Sequence, residues 1–246
     1  MKSNKKRRSL STEVLTDNSP FIFSEAYKSL RTNVDFLLSS KTSKVILVTS
    51  SIPHEGKTSV SINLASSLAQ TGKKVLLIDC DLRKPKIHAY LRIKHSSHLG
   101  LSTVLAGEAD VDEAIGYVEN LNLYVMLAGP LLSEATALFD SERFALIIKE
   151  LSERFDYVIC DTAPVSIVAD AAIISRHCDS VLFVIRHNYT NRRQTKDALE
   201  ALKAVDADIM GCVLNRYDLR TDMTYSYNKY YHYHEYSNDE EDEASN

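Results

Sequence analysis

A strand, a tight turn and a helix follow one another at residues 44–59, and this stretch limits the possible folds more than any other. Its sequence is KVILVTSSIPHEGKTS, in which a β-branched apolar run predicts a strand and Gly56-Lys57-Thr58 begins a helix. Backbone N–H groups and the dipole at a helix N-terminus bind phosphate; in such loops the lysine reaches the outer phosphates and the hydroxyl faces a metal ion. A chance triplet on an ordinary strand–turn–helix is the alternative, and the order of the elements favours the phosphate site.

The match to the phosphate-loop pattern G-x-x-x-x-G-K-[ST] is partial, because Ser51 stands where the first glycine is expected. The helix that follows has apolar residues at three-to-four spacing, as the pattern requires. We predict a nucleotide-phosphate site formed by Ser51, Pro53, His54, Glu55, Gly56, Lys57, Thr58 and Ser59.

Continuous apolar runs alternate with helical patterns along most of the 246 residues. A chain of this length forms one large α/β domain or two small ones. Strands buried on both faces have such runs, so the alternation predicts a mostly parallel sheet covered by helices on both faces, of the P-loop NTPase type. Strands are predicted at 44–50, 74–80, 121–127, 157–160, 181–185 and 209–214, and helices at 24–38 (with Ser24 as N-cap), 57–70, 136–153, 167–176 and 190–205.

Composition changes at both ends of the chain. Residues 1–18 are basic and polar, which predicts a disordered arm that stays in solvent or grazes an anionic membrane surface. Residues 19–216 are the predicted folded domain. Residues 217–246 hold eight Asp/Glu against two Lys/Arg, and six tyrosines lie within 224–236, so we predict a flexible, tyrosine-rich acidic tail.

Several classes of protein are disfavoured by these patterns. The acidic tail argues against nucleic acid as a partner. No apolar block follows the basic N-terminus, as a signal peptide would need, and no apolar run reaches the roughly 18 residues of a membrane span. The four cysteines form no paired motif, which suits a reducing compartment.

Two sets of carboxylates fall at the ends of predicted strands, where ligands bind in open α/β sheets. Asp79-x-Asp81-x-Arg83 follows the second strand, and Asp161 closes the strand at 157–160, like the acid that holds Mg²⁺ in nucleotide hydrolases. A single Asp at a strand end is more often a cap or turn residue. Three elements that converge on one edge of a sheet favour a nucleotide site instead.

This combination of motifs resembles the bacterial tyrosine kinases, in the cytoplasmic form of Gram-positive capsule and exopolysaccharide systems. The resemblance covers residues 24–236. It rests on the phosphate loop, on Asp79-x-Asp81-x-Arg83 as a second Walker A-like motif, on Asp161 as Walker B and on the tyrosine-rich end.

The chain departs from the family pattern at three places. Glu25-x-x-Lys28-x-x-Arg31 is similar to the helix motif of ring assembly, but Lys28 replaces an Arg and is a point charge where Arg is a planar fork. His54 stands where the family usually has Gly, and residues 129–136 lack its Pro-Asn-Pro stretch. The resemblance implies slower catalysis at most, with the same fold.

The resemblance also implies roles for individual residues. Asp79 would orient the incoming tyrosine, and Asn215 would read the adenine edge, although an Asn that closes a strand is equally a turn residue. The implied catalytic residues are Lys57, Asp79, Asp81, Arg83 and Asp161; the Mg²⁺ ligands are Thr58, Asp81 and Asp161; the phosphoacceptors are Tyr225, Tyr227, Tyr230, Tyr231, Tyr233 and Tyr236; and the oligomer interface contains Glu25, Lys28 and Arg31.

From the resemblance we expect ATP and Mg²⁺ as cofactors and autophosphorylation of the tail in trans, in a homo-oligomeric ring. The expected partners are a transmembrane activator of the polysaccharide system, which recruits this cytoplasmic chain to the inner face of the membrane, and a cognate phosphotyrosine phosphatase. Two alternatives stay open: a catalytically weak nucleotide-binding scaffold of the same machinery, and a positioning-type ATPase.

Overall fold

The computed structural model describes residues 14–16, 18–41, 44–93 and 98–217. Within these ranges the strands are β1 (Val45–Ser50), β2 (Val75–Asp79), β3 (Ile115–Val118), β4 (Leu123–Met126), β5 (Tyr157–Asp161), β6 (Ser180–Arg186) and β7 (Ile209–Asn215). The helices are α1 (Phe21–Leu37), α2 (Lys57–Ala69), α3 (Ile87–Leu91), α4 (Leu101–Ala106), α5 (Val111–Ala114), α6 (Thr136–Phe139), α7 (Glu142–Arg154), α8 (Asp170–Ser175) and α9 (Arg192–Lys203), with a 3₁₀ turn at Glu119–Leu121.

The described strands form one sheet in the order β3-β4-β2-β5-β1-β6-β7. Every neighbouring pair is parallel except β3 with β4, so the predicted mostly parallel α/β fold is confirmed. Asp79 of β2 is the register partner of Asp161 of β5, which also pairs with Val48 of β1. The carboxyl ends of β1, β2 and β5 therefore meet at one place on the sheet edge.

Helices cover both faces of the sheet. Ile46 and Val48 of β1 pack with residues of α1 and α2, such as Val34 and Leu64. Leu47, which points to the opposite face, belongs to a second core with residues of α7, α8 and α9. Each central strand is buried on both faces, and this explains its continuous apolar sequence.

The predicted element boundaries needed correction at several points. Helix α1 begins at Phe21 after Pro20, and Ser24 is inside its first turn, where its N–H donates to the Pro20 carbonyl at 3.0 Å, so the prediction of Ser24 as N-cap was wrong. The predicted helix 136–153 is interrupted at Ser141, whose hydroxyl caps α7 by accepting the Phe144 N–H. No sequence pattern predicted the edge strand β3 or the short helices α3, α4 and α5, which have too few residues for a periodic pattern.

The last residues of the predicted N-terminal arm contact the domain. Leu15 is 2% exposed, and its backbone N–H donates to the Asn63 side chain of α2 at 2.8 Å. The rest of the predicted arm up to residue 13, residue 17 and the predicted tail from residue 218 lie outside the described residues. Among the residues described, no helix is long and apolar enough to cross a membrane.

Phe144 of α7 provides a test of how far core packing stabilises the fold. It is fully buried, with its ring 5.3 Å from that of Phe139 and 5.6 Å from that of His177, both edge-on. Phe144→Ala should lower the free energy of unfolding by about 3–5 kcal/mol, because it leaves a cavity in the core. Urea unfolding should show a lower midpoint with an unchanged slope. Leu146, two residues away, is 60% exposed, and Leu146→Ala should change the free energy of unfolding by less than about 0.5 kcal/mol.

Candidate nucleotide-binding site

The loop between β1 and α2 has the backbone of an anion site. Gly56 is the N-cap of α2 at φ 95°, no side chain caps the helix, and its first turn has no acidic residue. The N-terminal N–H groups therefore point to the site with the positive end of the helix dipole. A Cβ at Gly56 would lie 2.0 Å from the Asn215 side-chain nitrogen, so only glycine fits there.

The two unexpected residues of the loop have opposite explanations. His54 adopts φ 67°, in the left-handed region where glycine is favoured, and its side chain is exposed. Ser51 is not among the residues with positive φ, so a side chain is sterically allowed where the pattern has its first glycine. The Ser51 hydroxyl is buried and has no hydrogen-bond partner among the described residues, which leaves it available to a ligand.

Glu55 holds the loop in place from beneath. Its fully buried carboxylate accepts the backbone N–H of Ile52 at 2.8 Å, the hydroxyl of Thr190 and the backbone N–H of Arg186 at 3.4 Å. The Glu55 carbonyl accepts the Asn215 amide at 2.8 Å. The ends of β6 and β7 thus determine the shape of the loop. Arg186 and Thr190 were not predicted as site residues, since neither lies in a motif.

Lys57, Asp81 and Asp161 come together as predicted from the topology. Burial lowers the pKa of Lys57, while the charges of Asp161, Asp81 and Glu55 oppose that shift. Burial raises the pKa of Asp161 to about 6; Lys57 and hydrogen bonds from Thr58 and Ser61 oppose the rise. The Ser61 hydroxyl lies 3.1 Å from Asp161. Ser61 was not predicted, although it is one helical turn after Lys57 and so on the same face.

Asp79 is fully buried behind these groups. One of its carboxylate oxygens accepts the backbone N–H groups of Lys86 and Ile87, each at 3.1 Å, and the other accepts the N–H of Asp81 at 3.3 Å. Burial and the charge of Asp161 raise the pKa of Asp79 well above its ordinary value. The carboxylates of Asp79, Asp81 and Asp161 therefore lie close enough to repel one another, which disfavours the charged form of the buried Asp79.

The donor set fits a magnesium nucleotide. Carboxylate and hydroxyl oxygens are ligands that Mg²⁺ prefers, and the ion usually binds one or two carboxylates together with substrate phosphates and water. Within the described ranges no group of three His, Cys, Asp or Glu side chains could hold a metal ion unaided. Thr58, Asp81 and Asp161 would hold Mg²⁺ together with phosphate oxygens and water.

Two other predicted site residues make contacts that the sequence did not indicate. Arg83 donates its guanidinium to the buried carboxylate of Asp170 at 3.2 Å, to the Thr136 hydroxyl at 3.0 Å and to the Ser133 carbonyl. Asn215 donates to Glu55, and its side-chain oxygen accepts the Arg216 N–H. An adenine contact of Asn215 and a catalytic role of Arg83 stay predictions.

The three residues of the predicted interface motif lie on α1. Lys28 pairs with Glu25 at 2.7 Å, three residues apart on the same helix. Arg31 instead donates to the Ser67 carbonyl of α2 at 2.8 Å and is half-buried there. Within one chain Arg31 therefore joins α1 to α2.

Comparison with known proteins agrees with this geometry. The family described as the AAA domain matches residues 43–210. Tyrosine-protein kinase CpsD of Streptococcus pneumoniae serotype 4 is 39% identical over 206 residues, which cover 84% of this chain and 87% of that protein. The chain belongs to the bacterial tyrosine-protein kinases.

Solved structures show the same fold. The chimerical protein CapA2B2 has a TM-score of 0.75 and 32% identity, covering 81% of this chain and 86% of that one. The septum site-determining protein MinD of Pyrococcus horikoshii, complexed with Mg-ADP, has a TM-score of 0.61 and 27% identity, covering 71% and 70%. This tyrosine-protein kinase therefore shares its fold with a septum site-determining protein that binds Mg-ADP.

His54 provides a test of the loop backbone in this kinase. His54→Val places a β-branched residue at φ 67°, which strains the loop by about 1–2 kcal/mol and should weaken binding of MgATP roughly 5- to 30-fold. His54→Gly should bind at least as tightly as the unmodified kinase. Titration with a fluorescent ATP analogue measures both. Equal affinities for the Val and Gly variants would show that the left-handed backbone is not needed for binding.

Thr190 tests the brace on Glu55. Thr190→Val keeps the shape of the side chain but removes the hydroxyl donor to a buried carboxylate, a bond of about 1.5–3 kcal/mol. The KM for ATP should rise by roughly tenfold or more as the loop loosens. Thr190→Ser keeps the hydroxyl, so its KM for ATP should stay close to that of the unmodified kinase. If Ser and Val raise the KM equally, packing of the Thr190 methyl group and not the hydrogen bond supports the loop.

Proposed function

We propose that this kinase transfers the terminal phosphoryl group of MgATP to tyrosines in the C-terminal segment of a second copy of the chain. The observation that carries the proposal is the buried Lys57 at the N-terminus of α2, flanked by Asp81 and Asp161. A buried ammonium beside free helix N–H groups is suited to polyphosphate. The Mg-ADP complex of MinD, on the same fold, supports a nucleotide with Mg²⁺.

Each site residue has a physical task in this reaction. Bound MgATP supplies the transferable phosphoryl group and part of the charge neutralisation. Lys57 and the α2 N–H groups hold the negative charge of the β- and γ-phosphates in place. Thr58, Asp81 and Asp161 hold the metal ion. The tyrosine oxygen would form a bond to the γ-phosphorus as the bond to the ADP oxygen breaks, and the tyrosine proton would pass to water.

Asp79 acts behind the reacting groups. With no exposed surface and three backbone N–H donors on its carboxylate, it fixes the loop that carries Asp81. Direct contact between Asp79 and the tyrosine would require that loop to move. We therefore propose that Asp79 orients the tyrosine indirectly, through the position of Asp81.

The biological setting we propose is control of capsular or exopolysaccharide synthesis and export. Similarity to CpsD and CapA2B2 supports this setting. We also propose a ring of copies, a transmembrane activator at the inner face of the membrane and a cognate phosphatase. For the ring, α1 offers the Glu25–Lys28 pair and Phe36, which is 78% exposed.

Lys57→Met is the test of the catalytic centre. The variant should fold but lose nearly all self-labelling with MgATP, because removing a buried charge that holds phosphates typically lowers the rate by a factor of 10²–10³ or more. Added to active protein, it should still become phosphorylated on its tail. Immunoblots for phosphotyrosine and mass spectrometry of the tail measure both outcomes.

Replacing all six tyrosines from Tyr225 to Tyr236 with Phe gives the matched control. That variant should lose most self-labelling but still phosphorylate the tail of the Lys57→Met protein. Normal self-labelling by Lys57→Met would contradict the proposal. Phosphate release without phosphotyrosine would favour a positioning-type ATPase, and nucleotide binding with neither product would favour a scaffold.

A further inference from the structure

A basic surface lies beside the carboxylates of the site. Residues 82–107 contain five Lys/Arg and no Asp or Glu. Of these five, Arg83 is engaged with Asp170, and residue 94 lies outside the described residues. Lys84, Lys86 and Arg92 are exposed, and we call these three the basic lip. No ion pair recorded in the described ranges involves any of the three.

The lip is held rigidly at the site. The backbone N–H of Lys84 donates to Asp81 at 2.9 Å, and that of Lys86 donates to Asp79 at 3.1 Å. Pro85 and Ile87, which alternate with the lysines, are buried in the domain. The charges therefore stand at the edge of the site on a backbone already ordered, so binding an anionic partner there costs little conformational entropy.

The partner must be acidic and must present a tyrosine. Residues 217–246 of the chain itself have both properties, since Asp239-Glu-Glu-Asp-Glu243 follows Tyr236 by three residues. An extended chain covers about 10 Å in three residues, and Lys84 also follows Asp81 by three. With Tyr236 in the site, the acidic run thus comes within reach of Lys84.

The approach from a second copy is the simpler path. The tail leaves its own domain after β7, four strands from β2 in the sheet order, a distance of about 19 Å at 4.8 Å per strand. The occupant is therefore taken to be the tail of a neighbouring copy, as in the proposed function, and the experiment below records only transfer between copies.

We propose that Lys84, Lys86 and Arg92 form a docking surface for the acidic end of a neighbouring copy's tail, which selects tyrosines that are followed by carboxylates. This inference rests on the proposed function and deepens it. The lip captures the tail by long-range attraction, while the site itself acts on the tyrosine. Because the lip pairs are exposed, their contribution should be sensitive to salt.

The experiment uses two proteins. The six-tyrosine Phe variant is the kinase and the Lys57→Met variant, with its native tail, is the substrate, so only transfer between copies is seen. Lys84→Glu, Lys86→Glu and Arg92→Glu together in the kinase should lower the initial rate of labelling on the order of tenfold at low salt, and less at high salt.

Two controls make the result specific. Arg192→Glu, Arg193→Glu and Lys196→Glu change the same charge on the exposed face of α9 and should leave the rate within about twofold. A substrate with Lys at positions 239–243 should be labelled slowly by the intact lip and faster by the reversed lip. MgATP affinity should be equal in all kinases.

The outcomes separate the two proposals. If the kinase with the intact lip gives no phosphotyrosine, the proposed function fails, and the docking inference fails with it. If it labels the substrate but reversal of the lip changes nothing, if the α9 control slows it equally, or if the lysine tail is not rescued, the docking inference alone is overturned.

Discussion

The buried ammonium of Lys57 is the interaction on which the rest of the site depends. Burial disfavours its charge, and only the nearby Asp161, Asp81 and Glu55 carboxylates counter that effect. Those carboxylates come from three separate segments, brought together by the parallel register of β1, β2 and β5. Charge and fold are therefore linked, because the sheet brings the acids close and the lysine reduces their mutual repulsion. Even beside Lys57, burial raises the pKa of Asp161 to about 6.

The phosphate loop cannot hold its own shape. A loop with one glycine at φ 95° and one histidine at φ 67° has an uncommon backbone, and such strain persists only where the surroundings enforce it. Here the enforcing contacts come from beneath the loop, through the buried carboxylate of Glu55 and the amide of Asn215. Hydrogen bonds from the ends of β6 and β7 thus hold the loop in a backbone conformation that His54 alone would not favour.

The sequence predicted the parts of this protein that have a local pattern. Apolar runs identified the central strands, and the spacing of Gly56-Lys57-Thr58, Asp81 and Asp161 predicted their meeting at one edge. Thr190 and Asp170 carry no such pattern, because their charged partners Glu55 and Arg83 lie more than 80 residues away and only the fold brings them near. Short edge elements such as β3 were missed because four residues show no period. The acidic, tyrosine-rich tail was predicted from its composition alone, and from residue 218 it lies outside the described residues.

One loop after β2 combines three different tasks. The buried carboxylate of Asp79 accepts the backbone N–H of Lys86 and fixes the loop. Asp81 lies at the site, where its carboxylate accepts the Lys84 N–H. Arg83 points away from the site and contacts α6 and α8 through Thr136 and Asp170. Arg83 bonds three groups at once, which a planar guanidinium can do and an ammonium on a flexible stem does less well. With its backbone tied at both ends of this motif, the loop can expose Lys84 and Lys86 without losing order. The contacts that place the proposed metal ligand thus also place the charges proposed to receive the substrate.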